Sequence, residues 1–306
     1  MANNLNKEIY NNKQSLILCP EDWEDYELID FGSGKKLERF GNYLFIRPEP
    51  QAMFPPKLNA NQWSKADGTF HTSNGEESGR WELSSKIKNT WPVHYDGMIL
   101  NALPTPFRHL GFFPEQAVHW RWCSELIKNF KSSEKPKILN LFAYSGAASL
   151  HAAKAGAEVV HVDASKKAIK LAFENRKTSK LDQLPIRFLV DDAIGFVKRE
   201  IRRGNKYDGI ILDPPKYGRG PNGEKWQIEN DLQILLKLIS EILSNKAIFV
   251  VLTSYAIRAS HLSLLNSLKS ILFNHKGEFS SGELAIREKG NDQRMLGCAN
   301  FARWKK

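Results

Sequence analysis

The residues whose types and spacing suit chemistry sit at the ends of four successive apolar runs. Ile138–Phe142 leads into the small-residue loop Phe142-Ala143-Tyr144-Ser145-Gly146, and Glu158–Asp163 ends in an acid. Ile186–Val190 is followed by Asp191-Asp192, and Tyr207–Asp213 by Pro214-Pro215-Lys216. An acid closing the second strand of a strand-helix-strand unit is placed to accept from ribose hydroxyls. A lone Asp after a strand is usually a helix N-cap, and Asp191 or Asp192 suits that role. Four such strand ends in order point to a ligand site, because ligands of a parallel sheet bind beyond its carboxyl ends. A dinucleotide oxidoreductase would want G-x-G-x-x-G after the first strand, to bring a pyrophosphate onto the helix N-terminus. Here the loop holds only Gly146, with the bulky Tyr144 beside it. That argues for a cofactor without phosphates, and S-adenosylmethionine suits it. Its ribose would lie on Asp163 with Ala164 alongside, its adenine near Asp192-Ala193, and its amino-acid part along the first loop. Asp191 and Asp213 stand at the adjoining strand ends.

The fourth strand end suits the acceptor. A sulfonium methyl is already electrophilic, so what remains for the protein is to hold a nucleophile in line with it. Two prolines fix the backbone, aiming its carbonyls and the Asp213 carboxylate into the pocket as acceptors for an amine or ring N–H of a flipped base. Lys216 and Tyr217 are placed to contact a phosphate and stack on the base. The bland alternative is a rigid loop after a strand.

These residues need a scaffold, and the pattern from Lys137 onward supplies one. The four runs and a fifth, Ala247–Ser254, alternate with helical stretches near 146–155, 165–178, 192–203, 227–243 and 259–272. Such alternation specifies a doubly wound, Rossmann-like α/β sheet. Gly277–Ile286 and Met295–Trp304 read as an antiparallel strand pair closing it. Glu115–Phe130 has Val118, Trp122, Leu126 and Phe130 at helical spacing, whereas Asn101–Pro114 is rich in Pro and Gly and reads as a linker. Upstream, Tyr26–Asp30, Lys36–Phe40 and Tyr43–Arg47 are short strands joined by tight turns. With Trp63, Phe70, Trp81 and Trp91 they suggest a small antiparallel β domain over residues 21–110. Core packing suits most of these aromatics better than base stacking. Thr69 to Gly79 reads as a polar loop. Residues 1–20 read as a flexible tail, and 111–306 as the catalytic domain.

The chain has 306 residues and a formal charge of +10, which favours a polyanionic partner such as RNA. No apolar run approaches the roughly 18 residues of a membrane span, and the first residues lack the apolar core of a signal peptide. Three widely spaced cysteines, Cys19, Cys123 and Cys298, suit neither a disulfide framework nor a zinc site. A cytoplasmic protein with no metal and no membrane partner is expected.

The region from about Trp91 onward resembles the class I S-adenosylmethionine-dependent methyltransferases. More closely, it resembles the bacterial large-subunit ribosomal RNA cytosine-C5 methyltransferase I group. The resemblance rests on LNLFAYSGAASL (Leu139–Leu150), VDAS (Val162–Ser165), DPPK (Asp213–Lys216) and GFFPEQ (Gly111–Gln116), in order over about two-thirds of the chain. It implies that Gln116 lies near the cofactor. One departure matters. Methylating C5 of a cytosine needs a thiolate to add at C6, and the resemblance places that cysteine just after the fifth strand. Here the segment reads Leu252-Thr253-Ser254-Tyr255-Ala256. The expected activity is therefore methyl transfer to a nitrogen of RNA, plausibly ribosomal RNA. The alternatives are a methyltransferase of a protein or small molecule, and a non-catalytic RNA-binding relative.

Overall fold

The computed structural model describes residues 15–73, 79–255, 257–290 and 294–306. In chain order the elements are β1 (Ser15–Leu18), β2 (Tyr26–Gly32), β3 (Lys35–Phe40), β4 (Tyr43–Pro48), α1 (Ala60–Trp63), β5 (Gly68–Thr72), β6 (Gly79–Leu83), β7 (Trp91–Tyr95) and β8 (Met98–Ala102). A 3-10 turn at Pro114–Gln116 leads into α2 (Ala117–Lys128), then β9 (Lys137–Leu141), α3 (Ala147–Lys154), β10 (Glu158–Asp163), α4 (Lys166–Thr178), β11 (Ile186–Val190) and α5 (Ala193–Arg202). The remainder is β12 (Gly209–Leu212), β13 (Tyr217–Arg219), β14 (Lys225–Gln227), α6 (Ile228–Ile242), β15 (Phe249–Ser254), α7 (His261–Ile271), β16 (Glu278–Arg287) and β17 (Met295–Lys305).

The large sheet has the order β1-β16-β17-β15-β12-β9-β10-β11. Strands β15, β12, β9, β10 and β11 run parallel, while β17 is antiparallel to both β15 and β16. Period-two alternation explains how both faces are buried. Leu139, Leu141, Ile210, Leu212, Val250 and Leu252 pack with Phe196, Leu235, Leu236 and Ile239 of α5 and α6. Their neighbours Ile138, Ile211, Phe249 and Val251 face the other way, onto Cys123 and Ile127 of α2 and Leu150 of α3. Because chain order reverses at β9, flanked by β10 and β12, the carboxyl ends beside it open into a crevice.

A second sheet, β2-β3-β4-β5-β6, and the hairpin β7-β8 complete the fold. The expected antiparallel N-terminal domain needs one correction: β4 and β5 pair in parallel, Phe45 opposite Gly68. Ser15–Leu18, inside the expected tail, is strand β1 and pairs in parallel with β16, so the C-terminal pair does not close the sheet. Residues 1–14 lie outside the described residues, as do 74–78 of the expected polar loop, whose flanks belong to β5 and β6. A hydrophobic cluster crosses the expected boundary at residue 110, joining Phe40, Phe45 and Trp91 to Phe112, Trp120 and Ile286.

The N-terminal sheet also buries charge. Glu38 takes two hydrogen bonds from Arg47, at 2.7 and 2.8 Å, and one from Tyr26 Oη at 2.8 Å. Burial opposes ionisation of Glu38, but Arg47 and Lys36 outweigh it and hold the carboxyl at about 2. The pair's contribution thus persists above the ordinary carboxylate range and is lost only as pH falls toward about 2. Arg47→Ala would leave Glu38 buried and unpaired, an expected loss of roughly 3–5 kcal/mol by urea denaturation. A loss under 1 kcal/mol would mean that the ion pair is solvated in solution.

Candidate functional site

The loop after β9 is shaped by its backbone. Phe142 (φ 55°), Tyr144 (φ 45°) and Gly146 (φ 84°) are all left-handed, a conformation two of these residues adopt at a cost. Glycine is required at 146, because a Cβ there would lie 2.9 Å from that of Ala172 in α4. Other residues hold the strained loop. Ala143 N donates to Val162 O at 3.1 Å, and Asn175 Nδ2 donates to Ser145 O at 2.9 Å. Asn140 Nδ2 donates to Ser149 Oγ, which pairs with His161 Nδ1, so a buried polar chain ties α3 to β9 and β10.

Asp163 finishes β10 under this loop. One carboxylate oxygen accepts from Tyr144 N and the other from Ser165 N, both at 2.8 Å. Burial pushes the carboxyl up, against those two donors. The same side chain therefore fixes the loop and presents remaining lone pairs to a ligand. At the third strand end, Asp192 is the N-cap of α5, accepting from Gly195 N at 2.7 Å. Asp191 accepts from Asp192 N and pairs with Arg199.

At the fourth end, Gln116 Nε2 donates to Asp213 Oδ2 at 3.0 Å. Burial first, and then the neighbouring Glu115 carboxyl, push Asp213 up to about 8; the Gln116 bond opposes them. Trp226 Nε1 of β14 donates to Pro215 O at 2.7 Å, and its ring lies 4.8 Å from that of Phe142.

These strand ends converge on a cavity of about 520 Å³. Of the residues anticipated from sequence, Phe142, Tyr144, Asp163, Ala164, Asp191, Asp192, Ala193, Asp213, Pro214, Pro215 and Lys216 line it. Ala143 and Ser145 are buried, and with Gly146 they shape the loop without lining the cavity. Gln116 reaches Asp213 instead of the cavity wall, and Tyr217 stands beside the wall, exposed. Several lining residues escaped the sequence reading: Phe107, Arg108, His109, Phe113, Trp226 and Tyr255. The first four come from the stretch read as a linker. Its density of aromatics and a histidine was the signal, since loops on a rigid scaffold carry function. Burial lowers His109 to about 4, so its ring is neutral where it meets Tyr144 Oη at 3.2 Å.

These residues fit S-adenosylmethionine. Phe142, Ala164 and Ala193 offer apolar wall for an adenine, Asp163 offers lone pairs for a ribose, and the loop has no phosphate cradle. Among the described residues, no group of three or more His, Cys, Asp or Glu side chains is placed to hold a metal ion. No helix among them is long and apolar enough to cross a membrane.

The fold and this cavity define a methyltransferase, and comparison with known proteins agrees. The chain belongs to the class I S-adenosylmethionine-dependent methyltransferases. It is 45% identical to the crystallised SAM-dependent methyltransferase of Agrobacterium tumefaciens, with TM-score 0.90, covering 95% of this chain and 93% of that one. A family model described as Conserved hypothetical protein 95 matches residues 123–269. The chain is 36% identical over 200 residues to ribosomal RNA large subunit methyltransferase I of Escherichia coli O9:H4 (strain HS), covering 60% of this chain and 48% of that protein. The curated relatives are matched over about half of their length or less. The crystallised methyltransferase SMU.776, complexed with SAH, shares the fold at TM-score 0.66 and 19% identity, over 89% of this chain and 71% of that one.

Proposed function

We propose that this enzyme methylates a nitrogen of an RNA base, with ribosomal RNA as the substrate class, residues 111–306 supplying most of its catalytic unit and Phe107–His109 completing the cavity wall. The observation that carries the reading is the shared cavity: Asp163 at one strand end and Asp213-Pro214-Pro215 at another, with no cysteine among the lining residues. S-adenosylmethionine supplies the electrophilic methyl. Asp163 holds its ribose, and the Asp192-Ala193 turn borders its adenine. Gln116 orients Asp213, whose carboxylate and the Pro214 carbonyl take the acceptor's N–H groups. One lone pair of the Pro215 carbonyl already accepts from Trp226. A nitrogen acceptor needs no thiolate. Burial raises Cys123, and burial with the nearby Glu115 raises Cys298 well above the ordinary thiol range, so both stay protonated.

The charge of +10 and the names of the curated relatives support RNA over a protein or small molecule. The test is incubation of labelled S-adenosylmethionine and enzyme with RNA from cells lacking this protein, followed by nucleoside mapping. Label on a ring or exocyclic nitrogen is expected. Label on carbon 5 would refute the nitrogen assignment, and label confined to protein or small molecules would refute RNA.

A further inference from the structure

Two segments at the cavity's rim lie outside the residues assigned above to the cofactor. The first is the loop Thr105–His109. Trp81 Nε1 of β6 donates to Thr105 O at 2.8 Å and to Phe107 O at 3.2 Å. Arg47 Nη1 of β4 donates to Arg108 O at 3.1 Å, and Thr105 Oγ1 donates to His109 O at 2.8 Å. The N-terminal sheet thereby grips this loop by its carbonyls. On it, Phe107 is 52% exposed and stacks on His109, with ring centroids 5.7 Å apart.

The second segment is the hairpin β13–β14, anchored by Trp226 on Pro215. Its Tyr217 is 60% exposed, with Lys216 Nζ 5.8 Å from the ring centre, and Arg219 lines the cavity beside it. A single exposed ring is ordinary on a protein surface. Two of them, on loops held by hydrogen bonds at one cavity and each next to cations, form the combination that stacks bases and meets phosphates. Both rings are carried on loops held by hydrogen bonds, so less backbone freedom remains to be lost on binding.

We propose that the Thr105–His109 loop and the β13–β14 hairpin are two lips that grip an unpaired stretch of RNA, with Phe107 and Tyr217 stacking on bases and Arg108, Lys216 and Arg219 meeting phosphates. The N-terminal sheet then has a defined role, which is to build one of the two lips. The inference rests on the RNA reading above and adds to it that the RNA must be single-stranded where it meets the rim. A paired stretch offers no exposed base faces to the rings.

The test is fluorescence anisotropy of the intact enzyme with bound S-adenosylhomocysteine, titrated with a short single-stranded RNA and with its duplex. Phe107→Ala and Tyr217→Ala are each expected to weaken single-strand binding by roughly 5- to 150-fold, the range of one lost stacking contact. Melting temperature and S-adenosylhomocysteine affinity should be unchanged, and Phe107→Trp should restore binding. Wild-type affinity in both alanine variants, or equal affinity for duplex and single strand, would overturn the lips while leaving the RNA reading intact. A parallel loss of S-adenosylhomocysteine affinity in Phe107→Ala would move that lip to the cofactor and overturn the proposal. No binding of either RNA by the wild type at low salt would overturn the RNA reading itself.

Discussion

Asp163→Ala is expected to abolish S-adenosylmethionine binding in calorimetry. Hydrogen bonds to a charged group contribute roughly 1.5–3 kcal/mol each. Losing two to ribose hydroxyls alone would weaken affinity by about 10² to 10⁴-fold. The substitution also strips the acceptor from Tyr144 N and Ser165 N, so the left-handed loop loses its clasp. Asp163→Asn keeps one oxygen and loses the other, because an amide nitrogen cannot accept from an N–H. Its affinity should fall between those of wild type and alanine. Unchanged affinity in the alanine variant would remove Asp163 from the cofactor site.

The second large effect concerns Asp213 and pH. Its carboxyl is pushed up to about 8, so near neutrality it is substantially protonated and donates a hydrogen bond; above that range it accepts. Methyl transfer in single turnover should therefore rise with pH, through a midpoint above the ordinary carboxylate range and below about 8, because the bound sulfonium favours the carboxylate. Glu115→Gln removes the neighbouring carboxyl and should move that midpoint down, and Asp213→Asn should slow the step by about 10² to 10⁴-fold at all pH values. Stability follows the opposite slope. The folded state holds this proton more tightly than the unfolded state, so stability falls as pH rises from the ordinary carboxylate range through about 8. Asp213→Asn should flatten that slope in melting experiments. A bound sulfonium favours the carboxylate, whereas neutral S-adenosylhomocysteine does not. The ratio of the two affinities should therefore climb with pH, and a constant ratio would place Asp213 away from the reacting end.

The parts of this fold readable from sequence share one property: their signal is local. β9 to β12 are continuous apolar runs, and α3 to α7 carry helical spacing, so element type and order emerge from a few neighbouring residues. The loop Phe142–Gly146 and the acids at 163 and 213 were legible for the same reason. Asp192 shows the limit, since capping α5 and facing the cavity leave the same mark in the sequence. What was missed depends on distant partners. Strand β1 is a four-residue run in an Asn- and Lys-rich stretch, and only β16 makes it a strand. The parallel pairing of β4 with β5 is a matter of register that alternation cannot encode. The Phe107–Phe113 wall is irregular backbone held by Trp81 and Arg47, whose reach across the chain no periodicity reveals.

Strand β1 also bears on how the chain reaches this structure. Ser15 pairs with Ser281, so an early strand waits for a partner that is made far later in the chain. Another tie of the same span, Arg294 Nη2 to Asp30 Oδ1 at 2.6 Å, joins the start of the N-terminal sheet to the β16–β17 end. Contacts separated this far in sequence carry a large loop-closure cost and form slowly. The hairpin pairings β2–β3, β3–β4 and β5–β6 can assemble as the chain emerges, whereas this edge of the large sheet can close only once β16 has been made. In refolding, that closure is the natural slow step.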